Sequence, residues 1–380
     1  MQRIYLDNNA TTAIHPDVLR VLEESFRDVF GNASSIHKEG QRARQVIEDA
    51  RESVASLIGA TARDVVFTSG GTESNNAAIF GAVPREGIHH IVTTAIEHPS
   101  VMESVAELER RGHRVTYVAP RRDGVVPAED VIAAIEPETR LVAMMLANNE
   151  TGVIQPVAAV GAAAQDRGIH LHSDAVQAAG KTDIDVSALN ASTLAIAAHK
   201  MHAPKGVGAL YVRRGLSLSA HLLGGAQERR RRAGTENVPL AAAFGRAARI
   251  AADPAWRGPA AALRDRLEAA MAQKFRVTVN GAGAPRVPNT SSMTFAGVDG
   301  EGMVIALDLS GVAASTGSAC SSGRVEPSRV LLALGLSAEE AKSTVRFSLS
   351  RFTTPQEIDR TLEILSNVVP RCERPTSTIR

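Results

Sequence analysis

Apolar positions along the chain follow two alternating periods. "DVVFTSGG", "HHIVTTAIEH", "HRVTYVAP", "TRLVAMMLAN", "IHLHSDAV", "ASTLAIAAHK" and "VGALYVRR" are short β-branched or apolar runs, and each reads as a strand. Between them, "TESNNAAIFGAV", "PSVMESVAELERRG", "PAEDVIAAI" and "VAAVGAAAQDRG" read as helices. The second of these opens with Pro99 in its first turn and stops at Gly112. Strands separated by helices predict βαβ units and a largely parallel sheet. This pattern fills residues 12–252, which read as one large α/β domain. It breaks near "DPAWRGP", residues 253–259. Beyond it, "KFRVTVNG" and "PNTSSMTF" read as strands, "GEGMVIALDLSG" as a helix, and the end as a longer helix. Residues 253–380, joined by residues 1–11, read as a smaller α+β domain. The tail "PRCERPTSTIR" is expected to fray, with Cys372 as an incidental surface thiol.

Composition narrows the functional classes. The chain has 42 basic and 41 acidic side chains, a formal net charge of +1. That balance argues against a dedicated nucleic-acid or membrane-surface binder. No apolar run reaches the roughly 18 residues of a membrane span. The start, "MQRIYLDNNATT", has neither the apolar core of a secretory signal nor the Arg/Ser-rich texture of a transit peptide. Two cysteines cannot build a disulfide framework, so a reducing, cytoplasmic setting is expected.

Several stretches could carry chemistry. "FTSGGTESNN" takes a strand through two glycines into a helix at Thr72. Free N–H groups and the helix dipole there suit an anion, although a tight turn with a threonine cap explains the same residues. The "GKT" at 180–182 is no Walker motif, because the earlier glycine position is Ala175. His170, His172 and Asp174 alternate along one strand and share a face. A metal could use such a set, but no cysteine or glutamate cluster supports one. Polar residues at the carboxyl end of a sheet strand are the plainer reading. Lys200 ends an apolar strand beside His199, where partial desolvation would favour a nucleophilic amine; a strand-end lysine reaching water is the alternative. Lys205 is a weaker candidate, in a turn. Arg229, Arg230, Arg231 and Arg232 form a basic run that reads as a solvated loop near an anionic site. Arg346 sits among apolar neighbours in "TVRFSLSRFTT" and needs an anion, either an internal carboxylate or a ligand's. Cys320 lies in "STGSACSSGR", an exposed setting that suits a reactive thiol better than a core one.

In order along the chain, "YLDNNATT", "FTSGGTESNN", "EHPSV", "NNETGVIQP", "HSDAVQAAGK", "AHKMHAPKG", "GAQERRRRAGTEN", "STGSACSSGRVEPSRVLLALGL" and "VRFSLSRFTT" resemble the cysteine desulfurases of the NifS/IscS type. These are fold type I pyridoxal 5′-phosphate enzymes grouped with the class V aminotransferases. The resemblance implies that Lys200 bonds the cofactor's aldehyde, Asp174 pairs with its ring nitrogen, and Gln177 meets its phenolic oxygen. It implies that His98 stacks on the ring and acts as acid and base, and that Gly71, Thr72 and His199 hold the phosphate. Thr235 would reach the phosphate of a second subunit, implying a homodimer. Asn149 and Arg346 would hold the carboxylate of L-cysteine. Cys320 would take the substrate's sulfur as a persulfide, leaving L-alanine. It would pass that sulfur to an iron–sulfur scaffold or a thiolation protein. A selenocysteine lyase or another lyase of the same fold is the alternative. The segment 316–326 is expected to be poorly ordered or lifted from the cofactor.

The sequence departs from that family at four places. Ala197 stands where a phosphate-binding serine is usual, which puts cofactor affinity in doubt. Ala203 and Ala226 replace usual glycines and are harmless only at negative φ; Ala33 replaces a proline.

Overall fold

The computed structural model describes residues 3–316 and 326–374. Twelve strands run in chain order: β1 (Ile4–Tyr5), β2 (Val65–Thr68), β3 (His90–Thr94), β4 (Arg114–Val118), β5 (Thr139–Ala143), β6 (His170–Asp174), β7 (Thr193–Ala197), β8 (Gly208–Val212), β9 (Val277–Val279), β10 (Thr290–Phe295), β11 (Val312–Ala313) and β12 (Thr344–Ser348).

Seven of them form one sheet in the order β2-β8-β7-β6-β5-β3-β4. All pairings are parallel except the two that β8 makes. Because β8 is antiparallel to both β2 and β7, those two run the same way. A parallel sheet needs helices on both faces, and its strands are apolar throughout. Here β2, β3, β6, β7 and β8 are buried at every position. The helices Gly71–Ala82, Pro99–Arg110, Ala128–Ala133 and Val157–Asp166 form as the apolar spacing predicts. Pro99 occupies the first turn of its helix, and Gly112 takes φ 93° just beyond the end.

A second, antiparallel sheet has the order β12-β10-β9, and β1 pairs with β11 in parallel. A separate hydrophobic cluster packs Leu267, Met293, Phe347, Leu365 and their neighbours there, with Ile4 and Leu6 joining from the other end of the chain. The large cluster under the seven-stranded sheet also takes Val287, Val330 and Leu334.

The described part of the tail departs from the expected fraying, while residues 375–380 lie outside the described residues. Cys372 closes a short 3-10 turn, Val369–Cys372, and packs against the second cluster. Its carbonyl accepts the Asp299 N–H at 2.9 Å, and the next residue, Glu373, bridges to Val298. Residues 370–374 are thus held by backbone pairing that local composition does not reveal. Burial pushes the Cys372 thiol's pKa up. Among the described residues, no helix is long and apolar enough to cross a membrane.

Candidate active site

The carboxyl ends of β2, β3, β5, β6 and β7 share one edge of the sheet, where ligands bind in open α/β folds. A cavity of about 340 Å³ opens there. Its wall collects Gly71 and Thr72 from the helix after β2, His98 from beyond β3 and Asn149 from beyond β5. Asp174 and Gln177 come from the end of β6, His199 and Lys200 from the end of β7, and Arg346 from β12. Nine of the predicted site residues therefore meet. Thr235 does not join them: it is exposed and lines a separate hollow with Thr68, Ser69 and Arg232. Cys320 and most of the segment 316–326 lie outside the described residues.

The Lys200 amine donates to the carbonyls of Asn9 at 2.5 Å and Ala10 at 2.8 Å. Asn9, quoted in a motif but given no role by the sequence, is the hub of this corner. Its carbonyl also accepts Gln177 Nε2 at 2.9 Å, and its side-chain Nδ2 donates to the Asn149 carbonyl at 3.1 Å. Lys181 went unnoticed inside the rejected "GKT". It is buried, and donates to Gln177 Oε1 at 2.5 Å and Asn9 Oδ1 at 3.1 Å. Burial drives its pKa well below the usual lysine range, and the charges of Lys200 and Arg346 push the same way. The only sequence signal for it is a lysine that follows the small residues Ala178, Ala179 and Gly180.

The turn after β2 suits an anion. Helix Gly71–Ala82 starts on the cavity wall, and a β-carbon at Gly71 would stand 2.7 Å from Val176 Cγ2. Thr72 adds a hydroxyl. His199 is neutral at ordinary pH, its pKa lowered to about 4 by burial and by nearby lysines. A neutral imidazole keeps one N–H to offer. Ala197 presents only a methyl group on this wall. Ala226 has φ −82°, and Ala203 is absent from the residues of positive φ, so neither methyl group is strained. The left-handed positions fall instead on His202, Glu228, Arg229 and Arg230. Of the arginine run, Arg232 pairs with Glu73 at 2.9 Å, in the first turn of the cavity helix.

Arg346 is 4 % exposed along its side chain. It pairs with Asp7 at 2.8 Å and donates to the Asn149 carbonyl at 3.0 Å. The side chain therefore has an internal carboxylate partner and also lines the cavity. His170 and His172 are turned to Thr193 Oγ1, at 2.8 and 2.9 Å, and His172 also meets Asn75. Burial lowers both pKa values to about 3.

A strand-end amine, a carboxylate on the next strand and a glycine-lined helix start together fit a phosphate-bearing aldehyde cofactor. A site of this kind at the strand ends of a mostly parallel sheet suits an enzyme that uses pyridoxal phosphate. A model of the family described as Aminotransferase class-V matches residues 4–361. A cysteine desulfurase of Nostoc sp. (strain PCC 7120 / SAG 25.82 / UTEX 2576) is 43% identical over 376 residues, covering 98% of this chain and 94% of its own. A cysteine desulfurase IscS of Anaeromyxobacter dehalogenans (strain 2CP-C) is 44% identical over 375 residues, 96% of this chain and 92% of its own. Among solved structures, a NifS-like protein superposes with a TM-score of 0.90 at 32% identity, covering 97% of this chain and 100% of that one. A structure titled SspA in complex with cysteine gives 0.84 at 34% identity, over 92% and 100%. The chain belongs to the class-V aminotransferase family, whose members depend on pyridoxal phosphate, and within it to the cysteine desulfurases.

Proposed function

We propose that this protein removes sulfur from L-cysteine, giving L-alanine and a persulfide on Cys320. The carrying observation is the meeting of Lys200, Asp174, Gln177 and Arg346 in one cavity at the sheet edge. When bound, pyridoxal phosphate supplies an electron sink that makes the substrate's Cα proton removable. Lys200 would hold the cofactor's aldehyde carbon and move that proton. Asp174 would hold the ring nitrogen's proton, and Gln177 would orient the phenolic oxygen. Gly71, Thr72 and His199 would hold the phosphate, and His98 would wall the ring. Arg346 and the backbone near Asn149 would bind the substrate carboxylate, an interaction that guanidinium geometry favours.

The balance is simple. The Cys320 thiol and cysteine give a Cys320 persulfide and alanine, with the substrate's C–S bond broken, an S–S bond formed and the freed β-carbon protonated. The persulfide sulfur would pass to an acceptor protein of iron–sulfur assembly or thiolation, in a cytoplasmic setting. Residues 12–252 would form the cofactor-binding domain, and 1–11 with 253–380 the domain carrying Cys320. Two substitutions test this reading. Cys320→Ala should abolish sulfide release from cysteine while the bound cofactor's visible absorption persists. Lys200→Ala should lose that absorption. Undiminished sulfide release by Cys320→Ala would overturn the persulfide route.

A further inference from the structure

The H-x-H-x-D stretch of β6 ends in a hydrogen-bond array whose directions can be worked out atom by atom. Asn75, 1 % exposed, sits at its centre. Its Nδ2 reaches Asp174 Oδ2 at 2.7 Å and Ser100 Oγ at 2.8 Å, while its Oδ1 faces His172 Nε2 at 3.0 Å. A carboxylate only accepts, so the amide nitrogen must face Asp174. Asn75 Oδ1 must then accept, and His172 carries its hydrogen on Nε2. A neutral His172 has a bare Nδ1, which takes the Thr193 hydroxyl hydrogen, and Thr193 Oγ1 in turn accepts from His170 Nε2. The backbone N–H of Ser100 donates to His98 Nδ1 at 3.1 Å, because His98 caps the helix Pro99–Arg110. Ser100 Oγ, which accepts from Asn75, lies 2.8 Å from the same Nδ1 and can donate its own hydrogen there. With Nδ1 committed as an acceptor, neutral His98 keeps its hydrogen on Nε2, the nitrogen left for the cavity.

We propose that Asn75 is a positioning residue that orients the Asp174 carboxylate and, through Ser100, holds His98 as a neutral imidazole donating from Nε2. This rests on the desulfurase reading for its consequence. His98 would offer a hydrogen bond into the cavity, and, in a departure from the acid and base role that the resemblance implies for His98, proton transfer at the substrate would fall to Lys200. An imidazolium would need a hydrogen on Nδ1, where a backbone N–H already points. Burial lowers the His98 pKa; Asp174 opposes that and Lys200 adds to it. The other titratable groups nearby are His199 and Arg346 on the cavity wall, His172 beyond Asn75, and the preceding Glu97.

Cofactor-loaded protein with ¹⁵N-labelled histidine rings, titrated by NMR between about pH 4 and 9, tests this. His98 is assigned by its absence in His98→Gln. The wild type should show a protonated Nε2 and a bare Nδ1 at neutral pH and above, with its midpoint below the usual histidine value. An imidazolium pattern or a hydrogen on Nδ1 at neutral pH overturns the proposal. In Asn75→Ala, Asp174 loses a donor, so its negative charge acts more strongly on His98. The His98 midpoint should rise by about one pH unit. Pyridoxal phosphate should bind the cofactor-free variant about tenfold more weakly. A variant matching the wild type in both measurements reduces Asn75 to packing and refutes the proposal. If Asn75→Ala does not fold, the wild-type titration still decides the His98 state. Sulfide release by the wild type separates the readings: its absence removes the desulfurase function, whereas the ring signals judge the array.

Discussion

Glu97 precedes His98 and is buried, at 4 % exposure. Its Oε1 accepts the Thr94 hydroxyl at 2.6 Å and the Met145 N–H at 2.8 Å, while Oε2 has no partner among the described residues. Burial raises its pKa from 4.5 to about 8, against the pull of those two hydrogen bonds, with the charge of Asp174 adding a smaller upward push. The sign of the consequence follows from linkage. An acid whose folded pKa exceeds its unfolded one binds a proton on folding. Its contribution to stability is full below the unfolded value near 4.5 and is lost as pH rises through about 8. Glu97→Gln keeps the shape and cannot ionise. Its melting temperature relative to wild type should therefore climb between about pH 4.5 and 8 and level off above that, by roughly 2 °C for each kcal/mol. Calorimetry at several pH values checks this, and a difference that stays flat with pH would contradict the buried acid.

At the scale of elements, β8 sets the turn at the start of the helix Gly71–Ala82. Gly208 pairs with Thr68 of β2 and Ala197 of β7. A β-carbon there would stand 2.7 Å from the Gly70 Cα and 2.8 Å from the Ile196 carbonyl. Both are backbone atoms that cannot rotate away. Gly208→Ala should cost about 1–3 kcal/mol and displace the start of the helix Gly71–Ala82. Thermal melting and the dissociation constant of pyridoxal phosphate measure the two effects, and an unchanged constant would mean that β8 does not set the turn. The strands and helices around this turn were legible because alternation, glycine stops and first-turn prolines are local signals. Nine residues of the cavity wall were legible through the motifs that resemble a known family. What stayed hidden depends on strand order and long reach. Lys181 and Asn9 bond across 172 positions of sequence, and Cys372 is pinned by pairing with a segment before the helix Gly300–Leu309. No periodicity encodes either contact.

At the scale of the whole molecule, the placement of Thr235 argues for a second copy of the chain. The loop that carries it leaves the cavity of its own chain, and its root is fixed. Glu228 forms a two-point ion pair with Arg51, at 2.6 and 3.0 Å, and accepts the Phe67 N–H at 3.1 Å. Both side chains are nearly inaccessible, at 3 % and 4 %. Breaking one half of such a pair typically costs about 3–5 kcal/mol, so the loop cannot swing back cheaply. The surface also exposes large apolar side chains, including Phe30 at 81 % and Ile36 at 91 %. We infer a homodimer that would cover them and lend Thr235 to the neighbouring cavity. Complementation tests it. Lys200→Ala and Thr235→Ala chains, carrying different tags, are co-expressed and the hybrid is selected through both tags. In a hybrid, one site combines both defects. The other has an intact Lys200 and receives an intact Thr235 from its neighbour. With cofactor limiting, each parent homodimer should release little sulfide, and the hybrid should recover about half the wild-type rate, one site of two. Sites completed within a single chain would give the hybrid no more than the average of its parents, and the shared-site reading would fall.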